Sequence, residues 1–259
     1  MRIRLFQVDA FAERVFAGNP AAVCPLDRWL PDATLQAIAA ENNLSETAFF
    51  VSREGGHDIR WFTPLVEVDL CGHATLAAAH VILRHLEPGR PDVRFGSASG
   101  PLAVRREGEL LALDFPSRPP EPCAPLPGLV EALGRVPGEV GKSRDWMVVY
   151  ECEEDVRTLR PDFGRLAALE LFGVIVTAPG AEADFVSRYF APREGVPEDP
   201  VTGSAHCTLV PYWSRRLGQA VLRARQVSAR GGELFCEDRG ARVRIAGRAV
   251  TYLDGFCEI

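Results

Sequence analysis

Short apolar segments separated by turn residues run along the whole 259-residue chain, and they predict alternating strands and helices. The first nine residues alternate apolar and polar side chains. After a turn at residues 17–20 the chain continues into an apolar segment at 21–24, which indicates two strands joined by a tight connection. A helix is predicted to begin at Pro31 and to end near Asn42, with Leu35, Ile38 and Ala39 on one face.

Further elements follow from the same patterns. We predict strands at 45–51, 58–63, 92–95, 101–105, 110–115, 147–150 and 174–177, and helices at 74–86, 129–133 and 163–169. The proline-rich residues 116–122 suit neither a helix nor a central strand, so we interpret them as a linker. The predicted domains are therefore residues 1–117 and 118–259, with the last strand able to return to the first half.

One segment of the chain recurs. The sequence Arg-Trp-Phe-Thr-Pro at 60–64 returns as Arg-Tyr-Phe-Ala-Pro at 188–192, and each copy leads through an acidic loop to a glycine, a small residue and an alanine. Gly72 comes 12 residues after the first arginine, and Gly203 comes 15 residues after the second. Aromatic-x-Pro strand ends also arise by chance, but order and spacing agree here. We interpret the pattern as a duplication, which predicts two similar α+β halves facing each other.

Composition narrows the class of protein. The chain is 47% hydrophobic and 25% charged, as in an ordinary folded protein, and its net charge of −6 speaks against nucleic-acid or acidic-membrane partners. No apolar run approaches the roughly 20 residues that a membrane span needs, and the first residues lack an apolar signal core. The seven cysteines are an odd number at wide spacing, which suggests neither a disulfide framework nor a zinc ribbon. We expect a cytoplasmic protein.

The two glycine-led segments are the first candidate for chemistry. The first N–H groups of a helix have no partner within the helix, and aligned peptide dipoles place partial positive charge at that end. Two such helix starts converging on one cleft would bind a carboxylate without a lysine or an arginine. Gly72 and Gly203 allow close approach of the backbone, and His73 and Ser204 add polar side chains at the same places.

Glu46 is the candidate acid/base. It stands near the start of an otherwise apolar strand, and a carboxylate that faces inward there would favour its neutral form, which suits proton transfer near neutral pH. The alternative is an exposed glutamate at a strand end. Alternation places Glu46 on the face of Ala48 and Phe50, opposite Thr47 and Phe49, and the pattern leaves both interpretations open.

Asp199 and Cys71 precede the two glycines. Asp199 either closes a turn or caps the helix, or it orients a substrate amine or hydroxyl group; Asp69 is placed similarly. Cys71 could act as a thiol acid/base at a helix start, where its pKa would be lowered. The second copy has no thiol directly before Gly203, so we interpret Cys71 as structural.

The other histidines and cysteines give little indication of a functional role. Neither Cys71-x-His73 nor the pair His206-Cys207 has the usual spacing of metal ligands, so we expect no metal site. His80 and His85 are interpreted as packed or facing solvent.

Six stretches spread over the chain form a consistent set. They are Phe6-Gln7-Val8-Asp9-Ala10-Phe11, Gly18-Asn19-Pro20-Ala21-Ala22-Val23, Asn43-Leu44-Ser45-Glu46-Thr47-Ala48-Phe49, Trp61-Phe62-Thr63-Pro64, Cys71-Gly72-His73-Ala74-Thr75 and Asp199-Pro200-Val201-Thr202-Gly203-Ser204-Ala205. Together they resemble the PhzF family, the phenazine biosynthesis-like proteins built on the diaminopimelate epimerase fold. The resemblance implies an α+β fold of two pseudo-symmetric halves, each a curved sheet wrapped around a central helix, with a cleft between them. It also implies a homodimer and no cofactor.

The resemblance further implies roles for single residues. In family members of known reaction, the glutamate of the Ser-Glu-Thr motif moves a proton during isomerisation of a dihydro-hydroxyanthranilate, and here that glutamate is Glu46. His73, Asp199 and Ser204 would hold the substrate, with the backbones of Gly72 and Gly203 at its carboxylate.

Three hypotheses follow. The leading one is a cofactor-independent isomerase that moves a proton on a small carboxylic acid, with Glu46 as the acid/base. The second is an epimerase or racemase that uses Cys71 and Glu46 as opposing bases. The third is a non-catalytic protein that binds a carboxylated metabolite in the same cleft.

Overall fold

A computed structural model describes residues Met1–Ile259, and the chain divides into two compact units. The first unit comprises Met1–Asp114 and Ala246–Ile259, and the second comprises Phe115–Ile245. The chain therefore leaves the first unit shortly before the predicted boundary at residue 117, and the C-terminal strand belongs to the first unit. None of the helices is both long and apolar enough to cross a membrane.

Strands make up most of both units. The strands that precede the second unit, or lead into it, are β1 (Arg2–Ala10), β2 (Asn19–Leu26), β3 (Glu46–Arg53), β4 (Gly56–Phe62), β5 (Glu67–Val68), β6 (Asp92–Ser97), β7 (Gly100–Glu107) and β8 (Leu110–Pro116). The remaining strands are β9 (Glu121–Pro122), β10 (Glu139–Lys142), β11 (Trp146–Val149), β12 (Val174–Pro179), β13 (Phe185–Ala191), β14 (Val196–Asp199), β15 (Val221–Gln226), β16 (Gly232–Asp238), β17 (Arg242–Gly247) and β18 (Ala249–Glu258).

Helices are few and mostly short. They are α1 (Asp32–Asn42), α2 (Gly72–Val81), α3 (Leu129–Leu133), α4 (Glu153–Thr158), α5 (Phe163–Ala168) and α6 (His206–Leu217), with a π-helical turn at Ile82–Leu86 and a 3₁₀ turn at Pro192–Glu194. The predicted helices at 129–133 and 163–169 are confirmed, and so is the face of Leu35, Ile38 and Ala39 that α1 buries. Two helix predictions need correction. The helix predicted at 74–86 changes to a π-helical turn after Val81, and the helix of the second copy begins at His206 because Gly203–Ala205 form a tighter turn.

In the first unit a mixed sheet surrounds helix α2. Strand β1 pairs antiparallel with β18 and β2, β2 runs parallel to β3, and β3 pairs antiparallel with β4. Helix α2 contacts β1, β2, β3 and β18, and every one of its residues except His80 is buried. The alanine-rich sequence at 74–79 explains this position, because small side chains let the strands approach the helix closely. Helix α1 packs separately, with Leu35 and Ile38 against Phe49 and Phe62.

In the second unit the strands repeat the pairing order of the first. Strand β4 pairs antiparallel with β3 and β5 and parallel with β6, and β13 likewise pairs antiparallel with β12 and β14 and parallel with β15. The parallel pair β2–β3 likewise corresponds to the parallel pair β11–β12. The shared order supports the duplication predicted from the recurring segment. Three short helices, α3, α4 and α5, cover the apolar faces of β11, β12 and β13. Helices α4 and α5 connect β11 to β12, as α1 connects β2 to β3.

The recurring arginines make the same ion pair in both units. Nε and Nη2 of Arg60 donate to the two carboxylate oxygens of Glu67, both at 2.7 Å. The same atoms of Arg188 donate to Glu198, at 2.7 and 2.9 Å. Each glutamate lies in the short strand that follows, so the pair fastens the acidic loop to the long strand. Such two-pronged contacts have a fixed geometry.

The pair in the second unit is buried more deeply, and this difference can be tested. The Arg188 side chain is 9% exposed and also donates to the carbonyl oxygens of Val156 and Leu159, whereas the Arg60 side chain is 26% exposed. Removing one partner of a buried ion pair leaves an unpaired buried charge and lowers the free energy of unfolding by about 3–5 kcal/mol. An exposed ion pair contributes about 0–1 kcal/mol to the free energy of unfolding.

We therefore predict that Arg188→Met lowers the free energy of unfolding by about 3 kcal/mol or more and that Arg60→Met lowers it by about 1 kcal/mol. Urea unfolding followed by tryptophan fluorescence measures both values. Equal losses in the two variants would contradict the assignment of Arg188 as the deeper anchor.

Candidate active site

Two parallel strands begin side by side and bring Asn19 and Glu46 to one edge of the first unit. Asn19 opens β2 and Glu46 opens β3, and the register pairs Glu46 with Ala21. Gly18 makes the tight turn before β2 possible. Its φ is +65°, and a side chain there would clash with the carbonyl oxygen of Ala10. The start of helix α2 lies at the same place, because His73 contacts both residues.

His73 stands between Glu46 and Asn19. Its Nε2 lies 3.1 Å from Oε2 of Glu46, and its Nδ1 lies 3.2 Å from the side-chain amide nitrogen of Asn19. The N–H direction does not point at the Glu46 oxygen, so we describe the first contact as an ion pair. Asn19 and His73 are buried, whereas the side chain of Glu46 is 18% exposed. Glu46 thus remains open to a ligand on a face whose other members, Ala48 and Phe50, are buried.

Cys71 completes the cluster. Its Sγ lies 3.5 Å from Nδ1 of His73, and its carbonyl oxygen accepts hydrogen bonds from the backbone and hydroxyl of Thr75, which fixes the first turn of α2. Burial, followed by the charge of Glu46, raises the pKa of the Cys71 thiol more than His73 lowers it. The lowered pKa considered for a thiol at a helix start is therefore wrong, and Cys71 is a neutral thiol near neutral pH.

The protonation of His73 follows from its neighbours. Burial works against the imidazolium, but Cys71 and Glu46 together hold the pKa of His73 well above its usual 6.5. Of these two we assign the larger effect to Glu46, because the thiol is neutral. Either end of an amide can face an imidazole. The Asn19 amide can therefore donate to the neutral ring or accept from Nδ1 of the imidazolium.

The same three residues, Glu46, Cys71 and His73, offer donor atoms that all lie within 4.8 Å of one another. Such a set could hold a metal ion, but the geometry is unfavourable. Cys71 faces Nδ1 and Glu46 faces Nε2, which are different edges of one imidazole ring. A single ion can bind one ring nitrogen, so the arrangement suits transfer and stabilisation of a proton better than a three-ligand site.

The predicted residues of the second copy lie in one loop of the second unit. Asp199 ends β14, and Gly203, Ser204 and Ala205 form the turn before α6. The hydroxyl of Thr202 donates to Oδ2 of Asp199 at 2.5 Å, so Asp199 has the turn-closing role that the sequence left open. Gly203 is buried, while Ser204 is partly exposed.

Gln226 and His206 hold this loop, a role that no pattern in the sequence indicates. Oε1 of Gln226 accepts from the backbone N–H of Thr202, and its Nε2 donates to the carbonyl oxygen of Asp199. Nδ1 of His206 donates to the carbonyl oxygen of Thr202, and burial lowers the pKa of His206 to about 4, so the ring is neutral. Burial of a glutamine on a strand has no local sequence signal, whereas Asn19 could have been found from its Gly-Asn-Pro turn.

The first unit therefore brings together Glu46, Gly72 and His73, and the second unit brings together Asp199, Gly203 and Ser204. The contacts described for Asp69 do not include Glu46, Gly72 or His73. Its backbone carbonyl oxygen accepts a hydrogen bond from the hydroxyl of Ser99.

Comparisons with known proteins agree with this architecture. The profile of the family described as phenazine biosynthesis-like protein, PhzC-PhzF, matches residues 8–255. A protein of Pseudomonas aeruginosa named as an uncharacterized isomerase is 58% identical over 98% of both chains. The crystal structure of a PhzF family protein from Enterococcus faecalis is 50% identical, with a TM-score of 0.97 over 100% of both chains. A hydroxyproline epimerase from Agrobacterium vitis shares the fold, with a TM-score of 0.61, 10% identity, and coverage of 98% of this chain and 92% of the epimerase.

Relatives that are 44–58% identical over nearly the whole chain are named isomerases, and on this basis the protein is an isomerase. The chain belongs to the phenazine biosynthesis-like family, PhzC-PhzF. The fold class and the family inferred from the six sequence stretches are thereby confirmed.

The contact between Asn19 and His73 leads to a prediction about the pKa of His73. We expect Asn19→Leu to lower this pKa, because the buried imidazolium loses its amide partner, and Asn19→Asp to raise it, because a carboxylate favours the charged ring. Titration of the imidazole carbon-bound protons by NMR measures the change. His206, whose Nδ1 bonds to the backbone carbonyl oxygen of Thr202, is the internal reference. An unchanged pKa of His73 in both variants would contradict the role given to Asn19.

Proposed function

We propose that the protein is a cofactor-independent isomerase that moves a proton on a small carboxylic acid, with Glu46 as the acid/base. One observation carries the proposal: the Glu46 carboxylate, still 18% exposed, lies 3.1 Å from Nε2 of the buried His73 at the start of helix α2. A protein that only bound anions would gain nothing from a carboxylate at this place. A group that accepts a proton from a substrate needs both access to the substrate and a fixed orientation.

The proposed step is a proton transfer that balances within the site. The Glu46 carboxylate takes a proton from a substrate carbon, and the electron pair of the broken C–H bond moves toward the substrate carboxylate as enolate-like charge. The first N–H groups of α2, beginning at Gly72, would stabilise that charge. Glu46 then returns the proton to a second position of the substrate. His73 orients the carboxylate of Glu46 throughout.

Substrate binding is assigned to residues of both units, as the resemblance implies. Gly72 and His73 would contact the substrate from the first unit, and Asp199, Gly203 and Ser204 from the second. The substrate class is a dihydro-hydroxyanthranilate-like or amino-acid-like acid. The proposal also includes a homodimer, the absence of a cofactor, of nucleic-acid partners and of membrane partners, and a cytoplasmic location.

One observation favours a second candidate function, an epimerase that uses Cys71 and Glu46 as opposing bases. The thiol is within 3.5 Å of Nδ1 of His73, and the ring contacts Glu46 on its other edge. Burial raises the pKa of Cys71, so this thiol would act as an acid before it could act as a base. We therefore rank proton transfer by Glu46 alone first.

The first prediction of the proposal concerns Glu46. A thermal-shift screen of small amino and hydroxy acids identifies a ligand, because ligands that bind the native state raise its melting temperature. With that ligand, proton exchange in D₂O should fall by about 10²–10⁴-fold in Glu46→Gln, while the melting temperature and the ligand-induced shift remain close to wild type.

Glu41→Gln, at an exposed site on helix α1, is the matched control and should exchange like wild type. Undiminished exchange in Glu46→Gln would exclude the mechanism. Saturable binding without any exchange in the wild-type protein would favour the non-catalytic binding protein instead.

The second prediction concerns Cys71. If Glu46 acts alone, Cys71→Ala should keep exchange within roughly tenfold of wild type, which corresponds to about 1.4 kcal/mol in the barrier. Cys207→Ala removes another buried thiol and controls for packing effects. A loss in Cys71→Ala as large as that in Glu46→Gln, with incorporation of deuterium at a stereocentre, would establish the epimerase instead.

A further inference from the structure

A π-helical turn follows helix α2 and changes which side chains share a face. The backbone N–H of Glu87 bonds to the carbonyl oxygen of Ile82 at 2.7 Å, an i to i+5 bond. Residues five apart in an α-helix point about 140° away from each other. The wider turn instead turns His85 toward His80, and their ring centroids are 5.9 Å apart. Such turns are rare and often occur at functional sites.

Both imidazoles meet one hydroxyl group. Nε2 of His80 lies 2.9 Å and Nε2 of His85 lies 2.8 Å from Oγ1 of Thr251 in strand β18. A hydroxyl donates a single hydrogen, so at least one of the two rings must donate to Thr251 through Nε2. The three side chains form a connected polar group that the proposed active site does not use.

This group lines a pocket of about 460 Å³ in the first unit, and its wall also includes Arg84, Arg106 and Glu109. The volume lies within the range of small-molecule sites and exceeds what an inorganic ion needs. Two guanidinium groups line the pocket beside the two imidazoles and the hydroxyl, which use two of their three hydrogens for the bonds among themselves.

The charge of the pocket is positive. Neither Arg84 nor Arg106 forms an ion pair, whereas Arg60 and Arg90 of the same unit each pair with a glutamate. Arg106 donates to the carbonyl oxygen of Leu83, where it offsets the negative end of the helix. Arg84 is therefore the cation most available to a ligand, and Glu109 is the single acid among these lining groups.

The positive charge of the pocket favours an anion over a metal cation as the ligand. Two histidines could suggest a metal ion, but two unpaired arginines repel a cation. Burial, then His85 and Arg84, lower the pKa of His80 to about 4, and burial also lowers that of His85. Both rings are therefore neutral near pH 7. The two rings and the Thr251 hydroxyl carry three hydrogens, of which two are used in the bonds within this group and one remains for a ligand. Arginine forks together with this neutral donor match the oxygen atoms of a phosphate group.

We propose that this pocket, formed by His80, Arg84, His85, Arg106 and Thr251, binds the phosphate group of a small molecule. It shares no lining residue with the proposed active site. His73 and His80 stand seven positions apart on α2, which corresponds to roughly 10 Å along the helix axis. The site goes beyond the proposed isomerase activity, and Glu46→Gln should leave it unchanged, so the two proposals can fail separately.

The test titrates the full-length protein with inorganic phosphate and with glycerol 3-phosphate, at constant ionic strength, and follows the imidazole NMR signals of His80 and His85. We expect saturable shifts of both signals and at least a tenfold weaker affinity in Arg84→Gln. Tighter binding of glycerol 3-phosphate would indicate a phosphorylated metabolite, and equal or tighter binding of inorganic phosphate would indicate the free ion; both outcomes support the site. Thr251→Val should weaken binding as well, because it removes the shared hydroxyl.

Arg28→Gln, at an exposed arginine elsewhere in the unit, is the matched control and should bind like wild type. Glycerol and sodium chloride should produce no saturable shift. The proposal is overturned if the signals of His80 and His85 do not move, if Arg84→Gln binds as well as Arg28→Gln, or if His73 is the one histidine whose signal responds.

Discussion

The burial of helix α2 inside its sheet is the constraint on which the first unit depends. A helix enclosed on nearly every side must present small residues, and Ala74 and Ala77–Ala79 meet that need. Enclosure also shields the ends of the helix from water, so the polar side chains there require partners within the protein. Cys71, Glu46 and Asn19 supply such partners at the N-terminal end, and the cluster around Thr251 follows the C-terminal end. The helix therefore connects the proposed active site to the proposed phosphate pocket.

Duplication explains why the second unit has the same pairing order yet a different chemistry. Both copies keep the two-pronged arginine–glutamate pair and the glycine-led turn. The second copy has Thr202 where the first has Cys71, and its loop is held by Gln226 and His206. His206 is neutral and Asp199 closes a turn, so under the proposed function the second unit would hold the substrate and Glu46 of the first unit would transfer the proton.

Glu46 illustrates how tertiary structure decides the role of a residue. Alternation along its strand gave no preference between an exposed end and an inward carboxylate. The outcome depends on His73, which comes from a helix 27 positions further along and lies 3.1 Å away. For Cys71 the tertiary structure overrides what its local position favours. Its place at a helix start favours a thiolate, but complete enclosure and the neighbouring carboxylate raise its pKa.

The sequence by itself determined the fold class, the family, the duplication and most strands, because these depend on local alternation, turn residues and short motifs. It also placed Glu46, His73 and Gly203 among the candidates. Tertiary structure alone decided what depends on distant contacts. These features are the burial of Gln226 and Asn19, the later start of α6, and the π-helical turn that directs His80 and His85 to one hydroxyl 166 positions away from His85. Local sequence patterns do not predict a contact between residues so far apart in the chain, because such a contact depends on long-range packing.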